Sequence, residues 1–532
     1  MSTDLIQLNI DGKHVEVPKG TTVIQAAHKA GSEVPFYCYH PGLSIAGNCR
    51  ICLVEIEGVP KLQIACNTPA TDGMVVYTQN AKVRKARQDV LEFLLVNHPL
   101  DCPVCDQAGE CWLQDYYMQH GQYQARMDEN KVKKTKKATH IGKEVMLDQE
   151  RCILCSRCVR FCDEITGTGE LGIFNRGDHS EINVYPGKLL ESGYSGNVVD
   201  ICPVGALTDK DFRFQTRVWY LASTDSVCPG CSRGCNIQVH TKKDVDRHAF
   251  KAQGRRVIRL KPRTNPLVNR WWICDEGRYG YRFVDEGRLS ALKQGTWAEN
   301  LQQLAERIKE VKNKGSIVGL LSPGQTNENL FAMKKLFEGA SAKTLCVSHT
   351  AAGEGDNLLK TPDKNPNRAG AEALGLTVIA TNQLQGALCN RDIELLWVCG
   401  QDIARILGEE LFSELRKRMR WMVYQGSNQN VTSAAADQVL PSTVYVENQG
   451  SFTNVDGRVQ RLWQALRPLG EARPDWHTAA DLAARLELKG FEWQSEEMIF
   501  ENLAEKVPFF SGMSYEALGT GGLLGKTAAL SS

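Results

Sequence analysis

The first part of the chain alternates apolar and polar residues with the two-residue period of β-strands. Apolar side chains occupy every second position from Ile6 to Ile10, an Asp-Gly pair follows, and the alternation resumes over residues 15–17. This pattern predicts a β-hairpin closed by a tight turn. A short helix is predicted over residues 23–30, ahead of the first cysteine loop. A hairpin, a helix and a cysteine loop in this order predict a β-grasp ferredoxin domain over residues 1–78.

The remaining pattern predicts one long helix and then a different kind of domain. Apolar residues recur at helical spacing over residues 81–97. Beyond residue 296, helices and strands alternate. The predicted helices cover residues 298–311 and 327–337, and the predicted strands cover residues 316–321, 394–398 and 421–424. Such alternation is typical of an α/β domain built on a parallel sheet.

The length and charge of the chain argue against several classes of protein. At 532 residues, the chain is long enough for three or four domains with buried cores. Its 63 basic and 62 acidic residues leave a net charge of +1, which gives no reason to expect a nucleic acid or an anionic membrane as a partner. No apolar run reaches the length of a membrane span, and the first residues lack the pattern of a signal peptide. We therefore expect a soluble, cytoplasmic chain.

Cysteine is the most informative residue type, because 15 of the 19 cysteines have occurred by Cys235. In a reducing compartment, clustered Cys-x-x-Cys spacings favour metal binding over disulfides. Spacing sorts the candidate ligands into four groups, and a histidine four residues before Cys102 completes the second. The first group is Cys38, Cys49, Cys52 and Cys66; the second is His98, Cys102, Cys105 and Cys111; the third is Cys152, Cys155, Cys158 and Cys202; the fourth is Cys228, Cys231, Cys235 and Cys274.

Zinc and iron–sulfur clusters both use such ligand sets, and the spacing favours the clusters. In the third group, three thiolates lie within seven residues and the fourth comes from a distant Cys202-Pro203 pair, as in ferredoxin-type ligation. Zinc sites more often combine two paired Cys-x-x-Cys arms. The first group resembles the plant-type 2Fe-2S spacing with a longer first loop, and Gly42 and Gly47 allow backbone amides to approach the sulfurs. Structural zinc stays open as the alternative.

Four cysteines are left outside these groups. Cys162 extends the Cys-x-x-Cys run of the third group, but no second such run exists to share its thiolate, and Asp163 rather than proline follows it. We therefore expect a packed free thiol there. The other three are expected in apolar cores: Cys346, Cys389 and Cys399. His40 is expected to form hydrogen bonds rather than to bind metal.

Three long motifs resemble those of one family. The sequence PFYCY at 35–39, followed after seven residues by GNCRIC at 47–52, resembles the 2Fe-2S signature of the large iron–sulfur subunit of respiratory complex I, the NADH:quinone oxidoreductase. The sequence CPVCDQAGECWLQ at 102–114 resembles the second signature of that subunit, and RCILCSRCVRF at 151–161 resembles the third. The resemblance is close over residues 1–285.

The resemblance implies α+β iron–sulfur modules followed by an α/β molybdopterin-oxidoreductase-like domain. In that last part the resemblance is looser and is carried by residues 439–441 and 450–460. The domains expected are a β-grasp 2Fe-2S ferredoxin domain at 1–78, a histidine-ligated 4Fe-4S domain at 79–140, a ferredoxin-like 4Fe-4S domain at 141–222, a 4Fe-4S domain of molybdopterin-oxidoreductase type at 223–285, and a truncated molybdopterin-oxidoreductase-like α/β domain at 286–532.

The resemblance also implies the cofactors. The first group would hold one 2Fe-2S cluster, and the second and third groups would hold one 4Fe-4S cluster each. The fourth group resembles an additional 4Fe-4S site that some bacterial members keep. In those members the last two ligands lie closer together in sequence, so Cys274 departs from the pattern. The chain beyond residue 285 is too short for a working molybdenum enzyme, so no molybdenum cofactor is expected.

The function implied by the resemblance is electron transfer within NADH:quinone oxidoreductase. The chain would take electrons from a flavin-bearing NADH dehydrogenase subunit and its 2Fe-2S partner, and pass them to quinone-proximal 4Fe-4S subunits. It would belong to the peripheral arm on the cytoplasmic side of a bacterial inner membrane, with membrane contact only through the complex and with no catalytic residue of its own. The alternatives are a component of an NAD-linked formate dehydrogenase, an iron hydrogenase, or a zinc-stabilised scaffold. Both enzymes need more chain, or more clustered cysteines, after Cys274.

Overall fold

The computed structural model describes residues 4–124, 126–128, 130–134, 136–243, 254–312, 317–348 and 351–526. The chain forms two compact units, Met1–Tyr220 and Leu221–Ser532. Within the described ranges, none of the helices combines the length and the apolar character that crossing a membrane requires.

The first unit opens with a five-stranded sheet and one short helix. In chain order these are β1 (Leu5–Ile10), β2 (Lys13–Pro18), α1 (Val23–Lys29), β3 (Leu53–Ile56), β4 (Gln63–Ile64) and β5 (Val75–Tyr77). The strand order is β2-β1-β5-β3-β4, with β1 antiparallel to β2 and parallel to β5. Alternate hairpin residues such as Leu8 and Val17 form one core with Val23 and Ala27 of the helix. The predicted hairpin and helix are confirmed, and the first cysteine loop runs from α1 to β3.

The rest of the first unit consists of short elements around the next two cysteine groups. They are α2 (Ala81–Val96), α3 (Trp112–His120), β6 (Thr139–His140), β7 (Val145–Leu147), α4 (Arg157–Arg160), β8 (Leu171–Phe174), β9 (Glu181–Val184), α5 (Asn197–Ile201) and β10 (Leu207–Asp209). Strand β7 lies between β6 and β10, and β8 pairs with β9. Helix α2 confirms the helix predicted at 81–97, and it ends just before His98.

The second unit begins with a three-stranded antiparallel sheet that carries the fourth group. Its elements are β11 (Leu221–Val227), β12 (Asn236–Lys242), β13 (Val257–Pro262) and α6 (Asp275–Tyr279). Cys228 follows β11 directly, Cys235 precedes β12, and Cys274 is the N-cap residue of α6. Two strand ends and a helix start therefore bring distant parts of the sequence to one place.

A six-stranded parallel sheet forms the centre of the second unit, in the order β16-β15-β14-β17-β18-β19. Its elements and those that flank it are α7 (Trp297–Val311), β14 (Ile317–Leu321), α8 (Asn327–Gly339), β15 (Lys343–Val347), α9 (Arg368–Ala373), β16 (Val378–Ile379), α10 (Leu384–Cys389), β17 (Leu395–Cys399), α11 (Ile403–Leu407), α12 (Glu409–Arg418), β18 (Trp421–Gly426), α13 (Val431–Ala435) and β19 (Gln438–Pro441). The chain ends with β20 (Gly450–Thr453), β21 (Arg458–Leu462), α14 (Asp475–Arg485), α15 (Glu496–Lys506), α16 (Tyr515–Leu518) and β22 (Leu523–Leu524).

The parallel sheet confirms the α/β prediction for this part of the chain. Strands β14 and β17 are buried along their whole length, as expected of parallel strands covered on both faces. Helix α7 begins with a capping box between Thr296 and Glu299 and buries Leu301, Leu304 and Ile308. Residue 316, the first residue of one predicted strand, lies outside the described ranges.

Candidate metal centres

The first group is a compact set of thiols beneath the five-stranded sheet. Cys38, Cys52 and Cys66 are almost completely buried, and Cys49 is half-buried. Side-chain hydrogen bonds with Cys49 and Cys66 lower the pKa of Cys38, whereas those with Cys38 and Cys52 raise the pKa of Cys66. The four sulfurs therefore form a connected set in which one thiol readily becomes a thiolate.

The loop of the first group is bent so that its backbone faces the sulfurs. Gly47 and Arg50 both adopt left-handed conformations, with φ of 61° and 60°. The amide of Cys38 lies 3.4 Å from the Cys49 sulfur and donates to it. Arginine rarely takes this conformation, so the backbone between Cys49 and Cys52 is constrained by the surrounding structure.

The second group surrounds one large cavity near the surface. His98 and all three cysteines line this cavity of about 620 Å³. Cys105 and Cys111 are buried, but Cys102 is exposed. Gly205 closes the far side, since a Cβ at this position would lie 2.1 Å from the Cys105 sulfur. The structure thus brings the predicted histidine and the three cysteines together.

The protonation of the second group follows from its burial. Burial lowers the pKa of His98 to about 4, and the nearby charges of Lys131 and Arg151 act in the same direction. A neutral imidazole is the form that binds metal. Burial raises the pKa of Cys111 to about 12, so a cation must replace its proton for this thiol to act as a ligand.

The third group lines a small cavity. All four of its cysteines face this space, together with Arg157 and the apolar side chains of Leu147 and Ile182. Burial raises the pKa of Cys152 to about 12 and that of Cys155 to about 11. The four thiols are therefore held out of water around one volume.

Backbone amides point at the sulfurs of the third group. Leu154 and Ser156, on either side of Cys155, have φ of 54° and 61°, and the amide of Leu154 donates to the Cys152 sulfur at 3.4 Å. Burial raises the pKa of Cys202, and hydrogen bonds from the backbone of Val204, Leu207 and Ala206 act against that shift. Hydrogen bonds to sulfur are one means by which proteins set the potential of an iron–sulfur cluster.

The fourth group has the same design in the second unit. All four cysteines are buried and line one small cavity. The amides of Gly230 and Gly277 donate to the sulfurs of Cys228 and Cys274 at 3.4 and 3.3 Å. A Cβ at residue 277 would lie 2.9 Å from the Cys228 sulfur, so glycine is needed there. Cys274, which departs from the family spacing, lies beside the other three.

The donor chemistry of the four groups fits iron–sulfur clusters. Within the described ranges, no three His, Cys, Asp or Glu side chains have the compact geometry of one metal ion. The fit rests instead on the donor chemistry: fifteen thiols and one neutral imidazole, cavities lined by all four members of a group, and amides directed at sulfur. Thiolate ligands with amide donors are the surroundings that iron–sulfur clusters use.

The remaining cysteines lie where packing was expected to place them. Cys162, Cys346 and Cys399 are buried, and Cys389 is half-buried against a core. Burial raises the pKa of Cys162 to about 12. His40 accepts a hydrogen bond from the amide of Gly42 at 3.1 Å, as its predicted hydrogen-bonding role requires.

Three residues that contribute to these sites were missed by the sequence analysis: Arg157, Gly205 and Gly277. Gly205 and Gly277 act through the space that they leave beside sulfurs distant in sequence. Arg157 acts through contacts with three separate loops. The sequence offers a weak signal for Gly205 alone, because it lies three residues after Cys202 in a Cys-Pro-Val-Gly run.

Comparison with protein families gives five matches in order along the chain. They are a 2Fe-2S iron-sulfur cluster binding domain at residues 3–81, the NADH-ubiquinone oxidoreductase-G iron-sulfur binding region at 87–126, the ferredoxin-like domain of NADH-quinone oxidoreductase subunit 3 at 142–208, the molybdopterin oxidoreductase Fe4S4 domain at 221–286, and molybdopterin oxidoreductase at 350–485. The expected fold class and its order of modules are confirmed.

Individual relatives carry matching names. The chain is 31% identical to the G-type subunit of NADH-quinone oxidoreductase from Rickettsia conorii, over 91% of this chain and 88% of that protein. It is 41% identical to the NADH-ubiquinone oxidoreductase 75 kDa subunit of Reclinomonas americana, over 62% of this chain and 47% of that protein. Among solved structures, a chain of an NAD+-reducing [NiFe]-hydrogenase is 31% identical with a TM-score of 0.37, covering 40% of this chain and 91% of its own length.

Proposed function

The chain belongs to the family of the G-type subunit of NADH-quinone oxidoreductase, and we propose that its four ligand groups hold one 2Fe-2S and three 4Fe-4S clusters. As a member of this family it is an iron–sulfur, electron-transferring component of a multisubunit NADH:quinone oxidoreductase. It contains 2Fe-2S and 4Fe-4S binding domains. The 2Fe-2S cluster is assigned to the first group, and the 4Fe-4S clusters are assigned to the second, third and fourth groups.

The observation that carries this assignment is the shared design of the groups. In the third and fourth groups, all four members line one cavity and backbone amides donate to the sulfurs. The histidine of the second group is neutral and faces the same cavity as its three cysteines. The first group lies within the part of the chain that matches a 2Fe-2S domain.

The residues of the chain hold the clusters and set their surroundings. A bound iron–sulfur cluster accepts and releases one electron without breaking a substrate bond. The cysteine thiolates bind iron, and their burial keeps water away from the sulfurs. Amides such as those of Leu154 and Gly230 donate to sulfur and so stabilise added negative charge. His98 replaces one thiolate by a neutral ligand, which lowers the negative charge of its group.

The proposal assigns no catalytic residue to this chain. Electrons arrive from a flavin-bearing NADH dehydrogenase subunit and its 2Fe-2S partner, and leave toward quinone-proximal 4Fe-4S subunits. The chain is placed in the peripheral arm on the cytoplasmic side of the bacterial inner membrane, and it reaches the membrane only through the complex. The α/β segment from residue 286 onward is proposed to work without a molybdenum cofactor. These assignments are supported by the family and by the order of the modules along the chain.

The test uses the assembled oxidoreductase. NADH is added, the sample is frozen, and the paramagnetic signals of this chain are recorded beside the rate of quinone reduction. We expect NADH to produce both 2Fe-2S and 4Fe-4S signals from this chain. In a Cys158→Ala complex we expect quinone reduction to be lost while NADH still reduces the flavin. Unchanged quinone reduction in that variant, with the cluster shown to be absent, would overturn the proposed route.

A further inference from the structure

One buried arginine lies at the junction of the three ligand groups of the first unit. The Arg157 side chain is 1% exposed. Its guanidinium donates to the carbonyl oxygen of Ile201 at 3.0 Å and to that of Tyr39. Its Cζ atom lies 4.5 Å from the centroid of the Trp112 ring. The guanidinium is therefore fixed from three sides.

Each of these contacts is next to a proposed cluster ligand. Tyr39 follows Cys38 of the first group, Trp112 follows Cys111 of the second, and Ile201 precedes Cys202 of the third. Arg157 itself immediately precedes Cys158, and it lines the cavity of the third group. A single positive charge thus adjoins ligand loops from three groups.

Arg157 has no carboxylate partner within the described ranges, where its hydrogen bonds go to carbonyl oxygens. Arg151, which is also buried, differs because it forms ion pairs with Asp101 and Asp148 at 2.9 and 3.3 Å. An unpaired buried charge is costly, so a buried guanidinium needs a negative group nearby. Burial lowers the pKa of Arg157, while the thiols of Cys155 and Cys202 act in the opposite direction.

We propose that Arg157 is the counter-charge of the third and first groups and that it raises the reduction potentials of their clusters. The inference rests on the proposed ligation of these clusters. Reduction adds one electron from the donor subunit, and no proton is required. A fixed positive charge in a buried, poorly screened place stabilises that added electron. Arg157 thus acts on the clusters through its charge and does not itself react.

The structure also ranks the effect. The third group is affected most, because Arg157 lines its cavity and immediately precedes Cys158. The first group is next, since Arg157 donates a hydrogen bond to the carbonyl oxygen of Tyr39, which follows Cys38. The second group is affected least, because Arg157 approaches it through an uncharged side chain, the Trp112 ring next to Cys111.

The experiment is a potentiometric titration of the assembled complex, followed by paramagnetic resonance. The variants are Arg157→Gln, Arg157→Lys and, as a matched control at the other end of helix α4, Arg160→Gln. Arg160 also donates to carbonyl oxygens of the cluster loops, including those of Cys38 and Cys155, but it is partly exposed and its charge is screened.

For Arg157→Gln we expect the reduction equilibrium of the third cluster to fall about tenfold, which is about 59 mV for a one-electron couple. The first cluster should shift less and the second least. Arg157→Lys keeps the charge and should stay close to the parent protein, and Arg160→Gln should shift the third cluster by a smaller factor than Arg157→Gln. Full iron content with an unmoved third potential in Arg157→Gln would overturn the inference.

Two further outcomes also decide the matter. If Arg157→Gln loses the third cluster but Arg157→Lys keeps it at its usual potential, the requirement is for charge, and the inference stands. If both variants lose it, the requirement is for the shape of arginine, and the inference is wrong. Absence of the cluster from the parent protein would instead contradict the proposed ligation itself.

Discussion

The second and third ligand groups belong to the same unit, yet they differ in solvent exposure and in the charge placed beside their thiols. In the third group, Cys155, Cys158 and Cys202 are each less than 10% exposed, Cys152 is half-buried, and a charged guanidinium lines the same cavity. In the second group, Cys102 is exposed and a neutral histidine takes the place of one thiolate. The same kind of cluster can thus be tuned by a buried positive charge in one place and by removal of a negative charge in the other.

Removal of one ligand from the third group should have the largest effect. In a Cys155→Ala chain we expect loss of the third cluster, seen as about four fewer iron atoms and one missing 4Fe-4S signal. The control is Cys162→Ala, a buried thiol seven residues further on that no group uses. The comparison fails if Cys162→Ala loses a cluster and Cys155→Ala does not.

The second group should be disrupted by a change at Gly205, which lies outside the motif of that group. A Gly205→Ala methyl group would lie 2.1 Å from the Cys105 sulfur, so Cys105 must move. We expect loss of most of the second cluster and a stability cost of about 1–3 kcal/mol in denaturant titration. Gly386→Ala adds the same methyl group where no atom lies within 4 Å and should keep every cluster. Full occupancy of the second cluster in Gly205→Ala would refute this role.

Exchange of the histidine should make the second group more like the third. His98→Cys adds the negative charge of a thiolate to the second cluster. We therefore expect the equilibrium constant for its reduction to fall about tenfold, which lowers its potential by roughly 59 mV. The third cluster should keep its potential and serves as the internal control. Redox titration of both signals in one sample measures this, and an unchanged or higher potential of the second cluster would contradict the explanation.

Solvent access should have the smallest effect, a difference in the rates at which external reagents attack the second and third clusters. Leu100 and Val104, at 88% and 58% exposed, flank Cys102 at the surface. A water-soluble iron chelator or mild oxidant should therefore attack the second cluster several-fold faster than the third, because susceptibility follows exposure. The decay of the two signals with time gives the ratio. Equal rates would show that the cavity around the second group is closed in solution.

Local features of the fold were predictable because they depend on neighbouring residues. The hairpin, helix α2 and three of the six strands of the parallel sheet, β14, β17 and β18, follow from side-chain patterns, whereas β15, β16 and β19 were not predicted. The Cys-x-x-Cys spacing was enough to sort most of the thiols. Cys274 was the least secure ligand from sequence, since 38 residues separate it from Cys235 and only folding brings the start of α6 beside Cys228. The left-handed Leu154 and Ser156 had no signal, because neither residue type favours that conformation.

The roles of Arg157 and Gly205 could not be read from the sequence for a physical reason. Arg157 occupies the first position of a one-turn helix, where an arginine is usually solvated, and only the packing of Tyr39 and Trp112 encloses it. Gly205 matters because Cys105, one hundred residues earlier, lies against it. Both depend on contacts between loops that share no periodicity.

Metal analysis of the chain, purified without oxygen, tests the central claim most directly. Four filled groups predict about 14 iron atoms per chain, with no stoichiometric zinc or molybdenum, and with low-temperature paramagnetic signals of both 2Fe-2S and 4Fe-4S type on reduction. About ten iron atoms would show that the fourth group is empty. A colourless chain with about one zinc ion per group and no paramagnetic signal would contradict the iron–sulfur assignment altogether.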